Sequence, residues 1–425
     1  MPETEKKETL GVIGLGYVGL PLALNCCEKG YDVIGIDRDE KKIRALKNNR
    51  PYLVGVSAKK LGYFIEGKKL IPTVSYEKVA GCTAVFICVS TFLDSKGQPD
   101  HTLLLNAVSE TAARLKGGSL LVVESTVAPG TTEKTIAACL HNLGLKIGKD
   151  IYLAFSPERI DPGNKEYNLT NIPKLVGGVT PGCLQKALAL YASLGIPTVA
   201  VSKPVIAEIA KILENTYRDI NIALANETAK ICAAAGVDVW EVIKASATKP
   251  FGFKAFYPGI GVGGSCIPKD AGYYIAWALS HGTRACLAES ARQVNESMPF
   301  NALLRVEKHL AARGKQIGGS RVLLLGVTYK ENVGDMRGSP ALALAELLLA
   351  RQAVLFYHDP YIEALELGGE KYRRESLARD RLSSYDCVIL AVPHSCYEDL
   401  SGQDFSCTNL INMTGLKIGR KAEGK

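Results

Sequence analysis

The stretch "GVIGLGYVG", residues 11–19, constrains this chain most: a strand-like apolar run leaves through Gly14-x-Gly16-x-x-Gly19 into a helical segment. A second strand-like run, "DVIGID", ends on Asp37, 23 residues after Gly14. A glycine triplet alone says little in a chain with 41 glycines; its meaning comes from the strand, turn, helix and following acid together. Gly14 permits a tight turn, Gly16 lets backbone approach a pyrophosphate, and Gly19 lets helix pack on strand. The backbone N–H groups at the helix start, from Tyr17 and Val18 onward, then face the phosphates. Asp37 would accept hydrogen bonds from an adenosine ribose and repel a 2′-phosphate, which favours NAD. Arg38 beside it keeps NADP open, or lies over the adenine.

Strand–helix alternation continues through residue 195, with strand candidates at 10–15, 32–37, 84–90, 119–125, 151–156 and 173–178. From Pro204 to Ala235 no glycine or further proline interrupts apolar residues at 206, 209, 213, 220, 224 and 231, and Gly236 follows. That period predicts one helix of 32 residues, ~48 Å long, long enough to link two domains. Strand-like runs return at 321–327, 353–360 and 386–394. The expected fold class is α/β: two Rossmann-like, doubly wound parallel-sheet domains joined by a long central helix and a helical domain. The expected boundaries are 1–195, 196–312 and 313–425.

No apolar run reaches the ~18–20 residues of a membrane span, and "MPETEKKE" has no signal-peptide layout, so a cytoplasmic location without membrane contact is the expectation. The net charge of +8 is spread among acids, with no aromatic-studded basic stripe, which argues for small anionic ligands and against nucleic acid. Twelve cysteines include no C-x-x-C pair, and the six histidines are scattered singly, so no metal is expected. Cys26, Cys82, Cys88, Cys139, Cys232 and Cys387 lie among aliphatic residues and read as reduced core.

One cysteine is mounted differently. "PGIGVGGSCIPKD" (258–270) sets Cys266 behind a run of glycines that includes Gly259 and Gly263. Such backbone leaves N–H groups free for an anion, and a thiol at the start of the next helix is a candidate nucleophile toward an aldehyde. On the long helix, Lys211 and Asn215 are spaced i, i+4, and Glu208 and Arg218 extend the row, so an oxyanion-stabilising pair is available. Asp270 is a candidate base or water-holder. Thr126, in "ESTVAPGTT", and Glu158 and Arg159, in "SPERIDPGN", stand at strand ends, where open α/β sheets bind ligand. No tyrosine has lysine four residues later, which excludes catalysis by a Tyr-x-x-x-Lys pair.

With these residues assembled, the chain resembles the nucleotide-sugar 6-dehydrogenases of the UDP-glucose/UDP-N-acetylhexosamine dehydrogenase family. The resemblance is carried by "GLGYVGLPLA", "ESTVAPGTT", "SPERIDPGN", "KILENTYRDINIALANE", "PGIGVGGSCIP" and "GVTYKENVGDMRGSPAL", in family order from residue 10 to about 343. It implies four-electron oxidation of a sugar C6 alcohol to a carboxylate with two NAD per turnover. Cys266 would capture the aldehyde as a thiohemiacetal that becomes a thioester. Lys211 and Asn215 would stabilise oxyanions, and Thr126, Glu158 and Asp270 would hold or activate water. Ser90 and Thr91 would contact cofactor, although "CVSTF" (88–92) departs from the family's proline-containing turn. Arg337 would reach the cofactor. Lys330 would reach a UDP-sugar substrate, with Arg159, Arg218, Phe256, Tyr257, Gly259 and Gly263 also lining its site. The family's usual assembly is a homodimer or larger homo-oligomer.

Two longer motifs, around residues 156–178 and 328–343, resemble the UDP-N-acetylhexosamine branch, whereas Ser265 and Lys269 resemble the UDP-glucose branch. The acetamido sugar is favoured and UDP-glucose is the alternative. A two-electron β-hydroxyacid dehydrogenase needs neither the loop cysteine nor the last α/β domain. An NAD-binding regulator needs none of the six candidate catalytic residues.

Overall fold

A computed structural model describes residues 8–53, 55–160, 166–377, 379–400 and 409–416. The chain forms two compact units: residues up to 214 with 272–283, and residues 215–271 with those from 284 onward.

In the first unit the strands are β1 (Thr9–Ile13), β2 (Asp32–Ile36), β3 (Leu70–Thr73), β4 (Ala84–Ile87), β5 (Phe92–Leu93), β6 (Pro99–Asp100), β7 (Ser119–Val123), β8 (Ile151–Phe155), β9 (Lys174–Gly178) and β10 (Thr198–Val201). Eight form one sheet in the order β10-β9-β8-β7-β4-β1-β2-β3, and β5 pairs with β6 apart from it. The helices are α1 (Gly19–Glu28), α2 (Glu40–Lys47), α3 (Ala58–Glu66), α4 (Thr102–Ala112), α5 (Ala137–Asn142) and α6 (Pro181–Ser193). Alternate residues of one strand serve opposite faces: Phe86 and Val122 pack with Leu10, Leu20 and Tyr191, while Val85, Ile87 and Val123 pack with Leu104 and Leu140. That accounts for the continuous apolar runs in the sequence.

One detail differs from the all-parallel expectation. β9 runs antiparallel to β8, with Ala154 opposite Gly178, and β10 then runs parallel to β9. A parallel neighbour requires a crossover, usually a helix, and the described part of 156–173 contains no helix, so the chain turns back instead.

The second unit contains α8 (Val239–Ser246), α10 (Cys286–Ala311) and α11 (Pro340–Ala350), with β11 (Arg321–Leu325), β12 (Val354–His358), β13 (Ala364–Leu367), β14 (Glu370–Arg373), β15 (Cys387–Leu390) and β16 (Leu410–Asn412). Its parallel sheet has the order β12-β11-β15-β16, and β13 and β14 form a hairpin. Two helices, α7 (Pro204–Ala235) and α9 (Ile267–Ser280), continue from one unit into the other. α7 has the bounds its apolar period predicts, with Gly236 at φ +70° after it.

The two sheets begin with the same hydrogen bonds. Gly14 N–H donates to the Ile36 carbonyl (2.7 Å) and Gly326 N–H to the His358 carbonyl (2.8 Å). Asp37 accepts from Leu15 N–H at 2.9 Å, and Asp359 accepts from Val327 N–H at 2.8 Å. Both glycines have φ near +90° (+91° and +87°). The shared construction thus lies in backbone geometry and an aspartate after the second strand, not in a repeated sequence.

Candidate active site

The β1–α1 turn is shaped for a dinucleotide. A Cβ on Gly14 would stand 2.6 Å from the Cys88 carbonyl oxygen, and one on Gly19 would stand 1.9 Å from that of Gly14, so both positions demand glycine. A Cβ on Gly16 would meet nothing within 4 Å, so packing does not demand glycine at this position. The first turn of α1 holds no acid, leaving its N–H dipoles to an anion; Tyr17 and Val18, at its entry, are half-buried. Asp37 is 7% exposed. It accepts N–H bonds from Leu15 and Asp39 (2.9 Å each) and ion-pairs with Lys42 at 3.0 Å. Its carboxylate therefore builds the turn, besides standing where the sequence places a ribose contact. Arg38 beside it is exposed.

At the ends of β4 and β7 the loops are laced together. The Thr91 hydroxyl donates to the Thr126 carbonyl at 2.6 Å, and the Ser125 hydroxyl to that of Val89 at 2.7 Å. Ser90 is exposed and Thr126 half-buried. Glu208, fully buried on α7, accepts Gly130 N–H (2.5 Å) and Thr132 N–H (2.9 Å). It therefore anchors the "ESTVAPGTT" loop instead of joining a catalytic row.

Glu158 accepts N–H bonds from Arg159 and Ile160 at 2.7 Å each, and pairs with Lys174 at 3.2 Å. Burial alone would raise its pKa, but the Lys174 ammonium and the two N–H groups hold it below the ordinary glutamate value. Lys174 is itself 2% exposed and pairs more closely with Glu124, at 2.6 Å. The neighbouring Arg159 is directed away from the expected ligand role: its guanidinium pairs with Glu214 at 2.7 Å and donates to the Pro173 carbonyl, also at 2.7 Å. Residues 161–164 of the "SPERIDPGN" motif lie outside the described residues. Lys211 is half-buried, one helical turn before Asn215 on α7, and its ammonium pairs with no carboxylate among the described residues.

In the second unit Asp270, 0% exposed, accepts a hydrogen bond from the Asn215 amide at 2.6 Å and has the Lys269 ammonium 3.0 Å from its other oxygen. Cys266 is exposed and immediately precedes α9. Its carbonyl accepts Asp270 N–H at 2.9 Å, so nucleophile candidate and carboxylate are locked in one helical turn. The Ser265 hydroxyl lies 3.8 Å from the thiol sulfur.

The glycines before Cys266 have a different reason from the one expected. A Cβ on Gly263 would stand 2.5 Å from the Gly338 carbonyl oxygen and 2.6 Å from Pro340 Cδ; one on Gly264 would stand 2.9 Å from the Tyr329 ring. Bareness here lets the loop press against residues 329–340. Only Gly259 faces open space, and its N–H donates to the Asn226 side chain at 2.9 Å. That amide belongs to a buried chain running through Asn295 to Asp219 and Arg292, which sequence reasoning missed because these polar residues stand singly on helices. We expect Gly263→Ala to destabilise the chain by about 1–3 kcal/mol through overpacking and to slow turnover; thermal unfolding and NADH formation check this.

Phe256 packs edge-on against Tyr217, and Tyr257 stacks on Trp240. Arg218 is exposed, and Lys330 half-buried. Arg337 is folded back on Asp335, 2.6 Å between them, rather than extended toward a ligand.

A mixed α/β sheet with this turn and an aspartate after the second strand is the construction of a dinucleotide-binding protein, here with an exposed cysteine at a helix start. Residues 8–195 match the NAD binding domain, 205–297 the central domain and 323–411 the UDP binding domain of the UDP-glucose/GDP-mannose dehydrogenase family. The chain is similar to the UDP-N-acetyl-D-glucosamine 6-dehydrogenase of Pseudomonas aeruginosa, 34% identical over 93% of this chain and 92% of that protein. Its structure is similar to that of the UDP-D-ManNAc dehydrogenase of Pyrococcus horikoshii (TM-score 0.86, 30% identity, 98% of this chain and 97% of that one). It is equally similar in fold to a UDP-glucose dehydrogenase of Pyrobaculum islandicum (TM-score 0.86, 28% identity, 100% and 98%). The chain belongs to the UDP-glucose/GDP-mannose dehydrogenase family.

Proposed function

We propose that this enzyme oxidises the C6 hydroxyl of a UDP-N-acetylhexosamine to a carboxylate through a covalent intermediate on Cys266. NAD, when bound, accepts a hydride in each of two oxidations. Between them the Cys266 thiol adds to the C6 aldehyde, forming a C–S bond and a thiohemiacetal whose oxidation leaves a thioester. Water then displaces the sulfur, releasing carboxylate, thiol and a proton. The observation that carries this reading is the turn linking exposed Cys266 to buried Asp270, with Asp270 held by Asn215 at 2.6 Å. In these roles Lys211 and Asn215 stabilise the oxyanions, while Thr126, Glu158 and Asp270 hold or activate water.

The residues of the β1–α1 turn, with Asp37, Arg38, Ser90 and Thr91, are the proposed NAD contacts, and Arg337 swings from Asp335 to join them. Phe256, Tyr257, Gly259, Gly263, Arg159, Arg218 and Lys330 are the proposed UDP-sugar contacts. For Arg159 that requires exchange of its Glu214 partner. The proposed domains are 1–195 for NAD, 196–312 for the catalytic loop and assembly, and 313–425 for UDP, in an enzyme of the cytoplasm. No helix among the described residues is long and apolar enough to cross a membrane.

The test is NADH formed per sugar consumed with UDP-GlcNAc, UDP-ManNAc, UDP-GalNAc and UDP-glucose. Two NADH per acetamido sugar supports the reading; one per sugar, or no turnover, overturns it. UDP-glucose remains the second reading because Lys269, one of the two residues that resemble that branch, pairs with Asp270. Preference for UDP-glucose in the same assay would establish it.

The proposed assembly is a homodimer or larger. On α7, Leu213, Tyr217, Leu224 and Ile231 are each about half exposed or more (50%, 49%, 59% and 63%), an apolar row at helical spacing. Leu224→Arg combined with Ile231→Arg is expected to shift the particle to monomer mass in analytical ultracentrifugation, with far-UV circular dichroism unchanged.

A further inference from the structure

The buried groups around Lys174 are not required to fold a sheet. Lysine is almost never fully buried unless it is paired, and here one ammonium serves two carboxylates: Glu124 Oε2 at 2.6 Å and Glu158 Oε2 at 3.2 Å, with the Pro157 carbonyl at 3.3 Å. Each carboxylate is tied down at its other oxygen. Glu124 Oε1 accepts the Tyr191 hydroxyl, and Glu158 Oε1 accepts the Arg159 and Ile160 N–H groups. The elements involved are far apart in sequence: the end of β7, the start of β9, α6 and the loop after β8. Replacing such a cluster by apolar residues is often neutral or stabilising, so stability gives little reason to keep it. Its reach toward Glu158 does.

We propose that Lys174 is the positioning residue for Glu158, its buried ammonium holding that carboxylate ionised and fixed in direction so that it accepts a hydrogen bond from water and does not act as an acid. The proposal rests on the role given to Glu158 above. Lys174 supplies the ammonium that pairs with both carboxylates; without it Glu124 and Glu158 would face each other with that cation gone, and a proton would be taken up. The other titratable groups facing the cluster are Cys88, Cys26 and Tyr191, all pushed upward first by burial, so they stay protonated where a carboxylate titrates. Burial alone would strip Lys174 of its proton, but Glu124 and Glu158 hold it charged.

The test uses the full chain carrying Lys174→Met together with Glu124→Gln, a pair that removes the ammonium along with its closer carboxylate and leaves Glu158 as the one carboxylate of the cluster. Lys174→Arg is the conservative control. The expected result is that the acid limb of the kcat–pH profile moves up by about 1–3 pH units in the double variant and stays in place with arginine. Infrared difference spectra, which need no substrate, are expected to show a new protonated-carboxyl band in the double variant that a further Glu158→Gln removes. A folded double variant with the wild-type acid limb and no new band overturns the proposal. If no UDP-hexose is turned over at all, the proposed function fails, and the infrared measurement alone still decides whether Lys174 keeps Glu158 ionised.

Discussion

Cys266→Ser is expected to lower net four-electron turnover by roughly 10³-fold or more while leaving NAD affinity unchanged. Serine keeps the size of the side chain and the exposed place before α9, so the Cys266 carbonyl still accepts Asp270 N–H and the turn is preserved. What changes is chemistry: a hydroxyl is a weak nucleophile that needs an adjacent base, whereas sulfur is intrinsically the stronger nucleophile. The first oxidation can still proceed, but its aldehyde is no longer held. Rapid-mix measurement should therefore show at most one NADH per sugar, with NAD titration by fluorescence as in wild type. Full uronate formation by this variant would sink the covalent scheme.

The second large effect is expected for Lys211→Ala, a fall of about 10²–10³ in kcat, or ~3 kcal/mol, the usual cost of removing one oxyanion donor. Lys211 pairs with no carboxylate among the described residues, in contrast to Lys174, so its charge is spent on no structural partner. Its loss should leave the unfolding temperature nearly unchanged. Steady-state kinetics together with a thermal melt separate the two effects. A fall of less than twofold would remove Lys211 from the mechanism.

The sequence shows those features whose cause is local. The dinucleotide turn is legible because its glycines, strand and following acid lie within thirty residues, and α7 because a 3.6-residue period runs without interruption from Pro204 to Ala235. Lys174 is not legible. In "PKLVGG" it reads as a solvated strand start, and the carboxylates that bury it come from positions 124 and 158, whose proximity only the sheet order creates. The sequence leads one to expect Arg159 at the substrate and Arg337 at the cofactor, but no local pattern announces Glu214 as a partner or a fold-back onto Asp335. The reversal of β9 was hidden because a buried strand carries the same apolar run in either direction. The glycines before Cys266 are expected from the sequence to leave room for a ligand, yet packing within the protein also requires them. The crowding atoms belong to Tyr329, Gly338 and Pro340, some seventy residues further on, and not only to a ligand.

The double duty of Asp37 bears on any attempt to re-engineer this enzyme for a phosphorylated cofactor. The customary exchange replaces the acid after the second strand with a small neutral residue to admit a 2′-phosphate. Here that exchange would also orphan the N–H groups of Leu15 and Asp39 and release Lys42. Asp359 accepts the equivalent bonds from Val327 and Tyr361 in the second sheet and also pairs with the buried His394 at 3.0 Å, so the aspartate at this place carries structural contacts there too. A workable redesign would keep an acceptor at 37, such as asparagine, and build phosphate recognition from Arg38.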